Sequence, residues 1–360
     1  MRTSELRKLA SQFTQHGCRT VMGTLRIVGG FKQLAFIVIT TFLMSLGLGT
    51  VAAAEDCKMG SDLDAATKSA LESTAQKYYG LALSGNTAEL KENSIPAVAS
   101  DFSSIESVIS ERKADFGTSA TVRNTYELDA PGNAPIGRAE FFCGIFNSQD
   151  RVAFVIPNLP PGRYGLVIME AQGGKQPMTV SFVLQQYASG NWKLGGFYAR
   201  PSAIAGHDSA WFLSQARTYK AKGQNHNAWL YYLAAWDLDA PVPFMSTANL
   251  DKISDEMQAV RPADLPSAEQ PLKLTPPGGK TYEVTQLFAV PVSDGLGLVV
   301  KFQVPDISNT AQTYQDNVAV MKGLISKYPE FRDAFSSIVA RAVAPSGQDY
   351  GTLMAMKDVK

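Results

Sequence analysis

Few residues of this chain have the types and spacing that could do chemistry. His207, Asp208 and Ser209 place an imidazole, a carboxylate and a hydroxyl side by side, the three groups of a nucleophilic triad. A triad, however, is a tertiary arrangement that adjacency does not supply. The three residues stand just before a helical pattern, where Asp208 or Ser209 serves better as an N-cap, in the favourable field of the helix start. His226, the other histidine beyond residue 54, falls in a turn between two helical patterns and reads as solvated. Two histidines are too few for a histidine metal cluster. The acidic pairs Asp255-Glu256 and Asp237 with Asp239 are too sparse for the oxygen ligands of a calcium loop and read as solvated faces. Gly29-Gly30 and Gly195-Gly196 fit neither a Walker loop nor a dinucleotide fingerprint, and the second pair, inside a strand-like run, marks a bulge or tight bend. No catalytic residue, metal or cofactor is therefore assigned.

Positioning these residues begins with the start of the chain. Arg2, Arg7, Lys8, Arg19, Arg26 and Lys32, against the single acid Glu5, precede an apolar run from Leu34 to Leu48. Ala52 and Ala54 then supply the small residues that a signal peptidase reads, so residues 1–54 form an export signal with cleavage expected after Ala54. The alternative is an uncleaved anchor. The stretch from Leu34 to Ala54 is about long enough to span a bilayer, and the basic side holds the N-terminus inside and the tail out. Translation beginning at Met22 would shorten the basic segment. Glu55 and Asp56 stand where a lipoprotein signal needs small residues, which argues against a lipid anchor at Cys57. The expected location is exported, periplasmic or secreted, with membrane contact only through a retained leader.

Of 33 basic and 33 acidic residues, the leader carries six and one, which leaves 27 against 32. Phosphate backbones are bound by clustered Lys and Arg, and the mildly acidic remainder has no such stripe, so nucleic acid is excluded as a partner. Cys18 departs with the leader, leaving Cys57 and Cys143 in an oxidising compartment. Neither lies in a Cys-x-x-Cys motif, and one structural disulfide is expected.

From Leu63 to Ala82, Leu63, Ala66, Ala70, Leu71, Ala75, Tyr78, Tyr79 and Ala82 recur at helical intervals, and Gly85-Asn86 ends the run. A short helix from Thr87 and another from Phe102 to Phe116 follow, so three helices precede any strand. Beyond Thr118 the period falls to two, with strand-like runs at Ala120–Leu128, Ala139–Phe146, Val152–Ile156, Gly165–Ala171, Met178–Tyr187 and Asn191–Ala199. Turn residues separate them, as in an antiparallel meander. A long first helix, short helical connections and a sheet ending in Trp192-Lys193-Leu194 with Phe197-Tyr198 resemble the NTF2-like (cystatin-like) fold over 55–201. That resemblance implies a cone over a pocket, lined by Tyr78, Tyr79, Trp192 and Tyr198, where a carboxylate such as Asp101 or Glu127 would be the candidate base. The fold hosts enzymes, ligand binders and scaffolds alike.

Within 202–260, Phe212, Ala216, Tyr219, Gly223, Ala228, Tyr232 and Ala235 resemble one tetratricopeptide-type helical hairpin, followed by a single further helix over Asn249–Val260. Phe212, Tyr219 and Tyr232 are expected in its core. Trp229 and Trp236, seven residues apart on one face, are candidates for an interface with another domain or a partner. Residues 261–280, rich in proline and glycine, read as a linker. Residues 281–360 read as a small α+β domain whose sheet buries Val299, Phe302, Val339 and Ala342 against Val318, Met321 and Ile325.

The fold class expected is α+β: NTF2-like helices with a curved antiparallel sheet, a helical hairpin, and a small C-terminal α+β domain. The function expected is an exported, non-enzymatic interaction or ligand-binding module taking a protein partner or a small apolar ligand. The rival is an enzyme or lipid-binding protein using the cone pocket.

Overall fold

The computed structural model describes residues 55–145, 148–276, 278–292 and 295–360. The export signal expected over residues 1–54 lies outside the described residues. Among those described, nine α-helices and fifteen strands in several sheets make an α+β protein. No helix among them is long and apolar enough to cross a membrane.

Strand β1 (Asp56–Met59) comes before the helices, which corrects the expectation that helices precede any strand. Four helices follow: α1 (Ala65–Ser84), α2 (Thr87–Glu92), α3 (Pro96–Ser100) and α4 (Ser103–Arg112). Asp64 caps α1 by accepting from the Thr67 amide at 2.9 Å. Gly85, at φ +78°, closes the helix in the left-handed conformation that glycine adopts without a Cβ penalty. Leu71, Ala75, Tyr78, Tyr79 and Ala82 form its buried stripe.

Strands β2 (Ser119–Ala130), β3 (Ile136–Cys143), β4 (Val152–Leu159), β5 (Gly162–Gln172), β6 (Met178–Gln186) and β7 (Trp192–Pro201) follow. They do not form a simple meander. The main sheet runs β1-β2-β5-β6-β7, and the β3–β4 hairpin leaves it to build a second layer. The sequence accounts for two layers because β5 is apolar on both faces. Val167 and Met169 meet α1 and α4, while Leu166 and Ile168 meet β3 and β4. Gly165 lets α1 lie close, since a Cβ there would strike the Leu71 side chain.

A small hairpin, β8 (Ala203–Ile204) and β9 (His207–Asp208), leads to helices α5 (Ser209–Ala221) and α6 (Asn225–Asp239). Strand β10 (Met245–Thr247) then returns to pair with β4, giving the second layer the order β10-β4-β3. Helix α7 (Ala248–Gln258) follows. The last sheet contains β11 (Leu272–Leu274), β12 (Tyr282–Val292), β13 (Gly295–Gln303), β14 (Ser337–Val343) and β15 (Asp349–Ala355), in that order. Helix α8 (Thr310–Lys327) and the short α9 (Phe331–Ala334) connect β13 to its parallel neighbour β14.

One continuous core joins α5, α6 and α7 to this sheet and to α8. The stretch 261–280 takes part in it: β11 pairs with β12, and Leu274 is buried. Phe302 and Ala342 pack with Met321 and Ile325 as expected. Val299 and Val339 do not. They lie on the opposite face with Val290, because a strand alternates sides with period two and residues 299 and 302 cannot share one.

Candidate functional site

The residues expected to line a cone pocket are not brought to one cavity. Tyr78, Tyr79 and Trp192 are buried between the helices and the main sheet, with Phe116, Phe182 and Phe197. The Tyr78 hydroxyl donates to the main-chain carbonyls of Trp192 at 3.0 Å and Asn93 at 3.2 Å. Burial pushes its pKa up to about 12, so the hydroxyl remains a donor at neutral pH. The Tyr79 hydroxyl donates to the carbonyls of Phe116 and Ser119. Its ring meets Phe116 edge-on at 6.2 Å. Tyr198 lies on the other face of β7, where it packs on Phe244 at 5.8 Å. Alternation along β7 separates it from Phe197, which faces the helices.

Neither candidate base is poised over a cavity. Asp101 is exposed. Glu127 is buried, but Arg163 donates to its Oε1 through Nε at 2.8 Å and also through Nη2. Both donors converge on one oxygen, which makes the buried carboxylate the ion-pair partner of Arg163.

Asp208 caps α5, accepting from the Trp211 amide at 3.0 Å, and Ser209 donates to the Ala235 carbonyl at 2.7 Å. His207 stacks on Trp211 with ring centroids 3.9 Å apart. The three side chains thus have separate structural partners. Gly195-Gly196 is the site of a bulge, where the β6–β7 register shifts between Val183 and Leu184.

His226 is not solvated, which corrects its sequence reading. Its side chain is 14% exposed, its Nε2 lies 2.8 Å from Asp264, and its Nδ1 lies 3.5 Å from Glu330. Tyr328 donates to the other Asp264 oxygen at 2.6 Å. Burial pushes the Asp264 carboxyl up, but the bonds from Tyr328 and His226 outweigh it and hold the group below its ordinary value. Three of the four acids in the acidic pairs are likewise engaged, and Asp255 is exposed. Asp237 accepts from Arg200 and Asp239 from Asn249, while Glu256 takes Arg217 as a bidentate partner at 2.8 Å and also the Tyr232 hydroxyl. Among the described residues no cluster of His, Cys, Asp and Glu is suited to a metal.

Phe212, Tyr219 and Tyr232 are buried. Trp229 and Trp236 are half-buried against the same core, and Arg261 lies over the Trp229 ring at 5.5 Å. Cys57 and Cys143 form a disulfide with α-carbons 5.1 Å apart, linking β1 to the end of β3.

Sequence reasoning missed two features. One is a strap: residues 240–247 send Val242, Phe244 and Met245 into the core between the main sheet and the β10-β4-β3 layer. The other is an exposed apolar corner at Phe142 and Ile145. The strap has no local signature, because apolar residues beside strands read equally well as core, whereas Phe142 alternates onto the face of β3 that carries Arg138 and Glu140. Comparison with protein-family models, curated proteins and solved structures finds no match for the chain.

Proposed function

We propose that the chain is an exported, non-enzymatic interaction module, in which an NTF2-like domain, a tetratricopeptide-like hairpin and a small α+β unit form a scaffold for protein contacts. One observation carries this reading. The space between α1 and the main sheet is occupied by aromatic side chains, and the hydroxyls of Tyr78 and Tyr79 are bound to main-chain carbonyls. A pocket enzyme or lipid carrier needs that volume open, with polar groups converging on it. The order of α1 and the antiparallel main sheet supports the NTF2-like kinship, and the layer β10-β4-β3 is an addition to it. The exported location rests on the Ala52-x-Ala54 end of the leader.

Native mass spectrometry of the exported protein tests the reading. The expected mass is that of the bare chain. A stoichiometric lipid or small apolar molecule, released only on denaturation, would overturn the scaffold in favour of the pocket.

A further inference from the structure

The edges of the larger sheets are blunted, with one exception. Strand β11 is three residues long and sits between Pro271 and Pro276, and β10 is equally short. Strand β1 carries Asp56 and Lys58, while β3 carries Arg138 and Glu140 and is bridged to β1 through Cys143. Along β7, Leu194 is bonded to Asn93 and Ile95 at 2.9 Å each. Short strands, prolines, charges and covering segments keep sheet edges from pairing. Strand β15 is seven residues long, and among the described residues it pairs only with β14. Its single charge, Asp349, is already bound by Arg341 at 2.8 and 2.7 Å. The tail beyond it is drawn to α9, where Arg332 donates to the carbonyls of Met356 and Val359.

We propose that this edge joins a second copy of the chain, the two β15 strands running antiparallel about a two-fold axis at Thr352. The Met356 amide donates to Ser336 at 2.8 Å and the Ala344 amide to Gln348 at 2.9 Å. In the alternating antiparallel ladder, the even-numbered residues of β15 therefore face β14, and the N–H and C=O groups of Asp349, Gly351, Leu353 and Ala355 point outward. These four are symmetric about Thr352. A second copy sets its Ala355 opposite Asp349 and its Leu353 opposite Gly351, so every outward group finds a partner. Like charges stay apart, because the two Asp349 carboxylates lie at opposite ends.

Both faces of the edge fit the same occupant. Leu353 extends the row Phe288, Val299, Val339 across the face opposite α8, and the glycine it meets across the axis leaves room for it. On the other face, Asp316 of α8 turns to Tyr282 on β12, and Asn317 bonds Thr352. Tyr314, about 160° round the helix from Asp316, lies on the β15 flank with Val318. Leu353 at 66% and Tyr314 at 48% are two of the four exposed large apolar side chains among the described residues. An extended peptide would satisfy the strand but leave Tyr314, one layer above, uncovered. A second copy brings its own α8 to that level.

A two-stranded pairing alone is marginal, and the contact belongs with the small interfaces, which sets the dissociation constant on the order of micromolar. Sedimentation equilibrium of the exported protein, from about 1 to about 500 µM chain, tests it. Wild type should pass from the mass of one chain to that of two bare chains. Leu353→Lys, which adds an edge charge to each copy, should raise the dissociation constant at least about ten-fold. Leu353 is exposed, so this variant should melt as wild type does; if it melts lower, Tyr314→Glu decides in its place. A benzophenone amino acid at 353 or 314 should cross-link two chains on illumination, and one at 142, exposed to a similar degree, should not. A wild type that stays monomeric overturns the dimer and would leave β15 to an extended peptide of another protein. A dimer that withstands Leu353→Lys and Tyr314→Glu alike, or cross-links equally at 142, pairs through another surface and also overturns it. A ligand released from the first sheet's core would sink the scaffold reading without touching this edge.

Discussion

Arg200 donates to the Asp237 carboxylate at 2.8 Å and to the Ala240 carbonyl at 3.1 Å, so the last strand of the main sheet grips the C-terminal end of α6. From that point the strap runs to the β3–β4 layer. The Val155 amide donates to Phe244, and Met245 pairs with Phe154. Arg151 then binds Asp251 on α7. The core of the second layer is therefore completed by residues that follow the helical hairpin.

A chain cut after Pro201 should consequently be incomplete. It lacks Val242, Phe244 and Met245, and large apolar deletions from a core typically cost about 2–5 kcal/mol each, against total stabilities of about 5–15 kcal/mol. The expected product of residues 55–201 binds a hydrophobic dye and melts without a sharp transition. A fragment with the cooperative melt and amide protection of the whole chain in β4 would show the strap to be dispensable.

The Cys57–Cys143 bridge closes a loop with a sequence separation of 86. In the chain-entropy model such a closure stabilises by roughly 4 kcal/mol. Thiol titration of denatured, unreduced protein should find neither thiol free, and the double Cys→Ser variant should melt well below wild type. Equal melting temperatures would mean that β1 pairing with β2 holds this edge unaided.

How far the sequence foretold this architecture depends on the range of the interactions involved. Asp64 and Gly85 mark the ends of α1 because capping is local. Strand existence was legible for the same reason. Pairing was not: the two apolar faces of β5 announce two covering layers without saying that β2 will skip β3 to reach it. The placement of Val299 with Phe302 failed against strand alternation, an avoidable error. His226 read as solvated because Asp264 and Glu330, its partners, are distant in sequence. Exposure of Phe142 was legible by the same strand alternation, since it shares a face of β3 with Arg138 and Glu140, opposite the buried Ala139, Phe141 and Cys143.

Trp229 offers a measure of how firmly the hairpin is seated. Its ring packs partly on the shared core beneath Arg261. Full truncation of a buried tryptophan costs about 3–5 kcal/mol, and partial burial reduces Trp229→Ala to about 2 kcal/mol. Arg261→Ala should cost less, because an exposed cation–π contact contributes only about 0.5–1 kcal/mol. A Trp229→Ala melt indistinguishable from wild type would mean that the ring is available to a partner.

Acid should loosen the C-terminal unit through Asp316. This carboxylate is buried on α8, where it accepts from Lys280 at 2.7 Å, Tyr282 at 2.9 Å and Gln312 at 3.1 Å. Burial raises its pKa, but the bonds from Lys280, Tyr282 and Gln312 outweigh that and leave it below the ordinary 3.8. A carboxyl whose folded pKa lies below its unfolded value contributes stability that is present above the unfolded pKa. That contribution is lost as pH falls through the folded pKa. Asp264 and Glu256, also lowered, act in the same direction, Glu256 chiefly through Arg217. Melting temperature should therefore fall as pH drops from about 5 to about 2. Asp316→Asn should lower stability at neutral pH by about 1–3 kcal/mol, the cost of an impaired buried hydrogen-bond set, and should flatten the acid limb. An acid limb equally steep in wild type and variant would assign the loss to Asp264 and Glu256, and would leave Asp316 with a packing role alone.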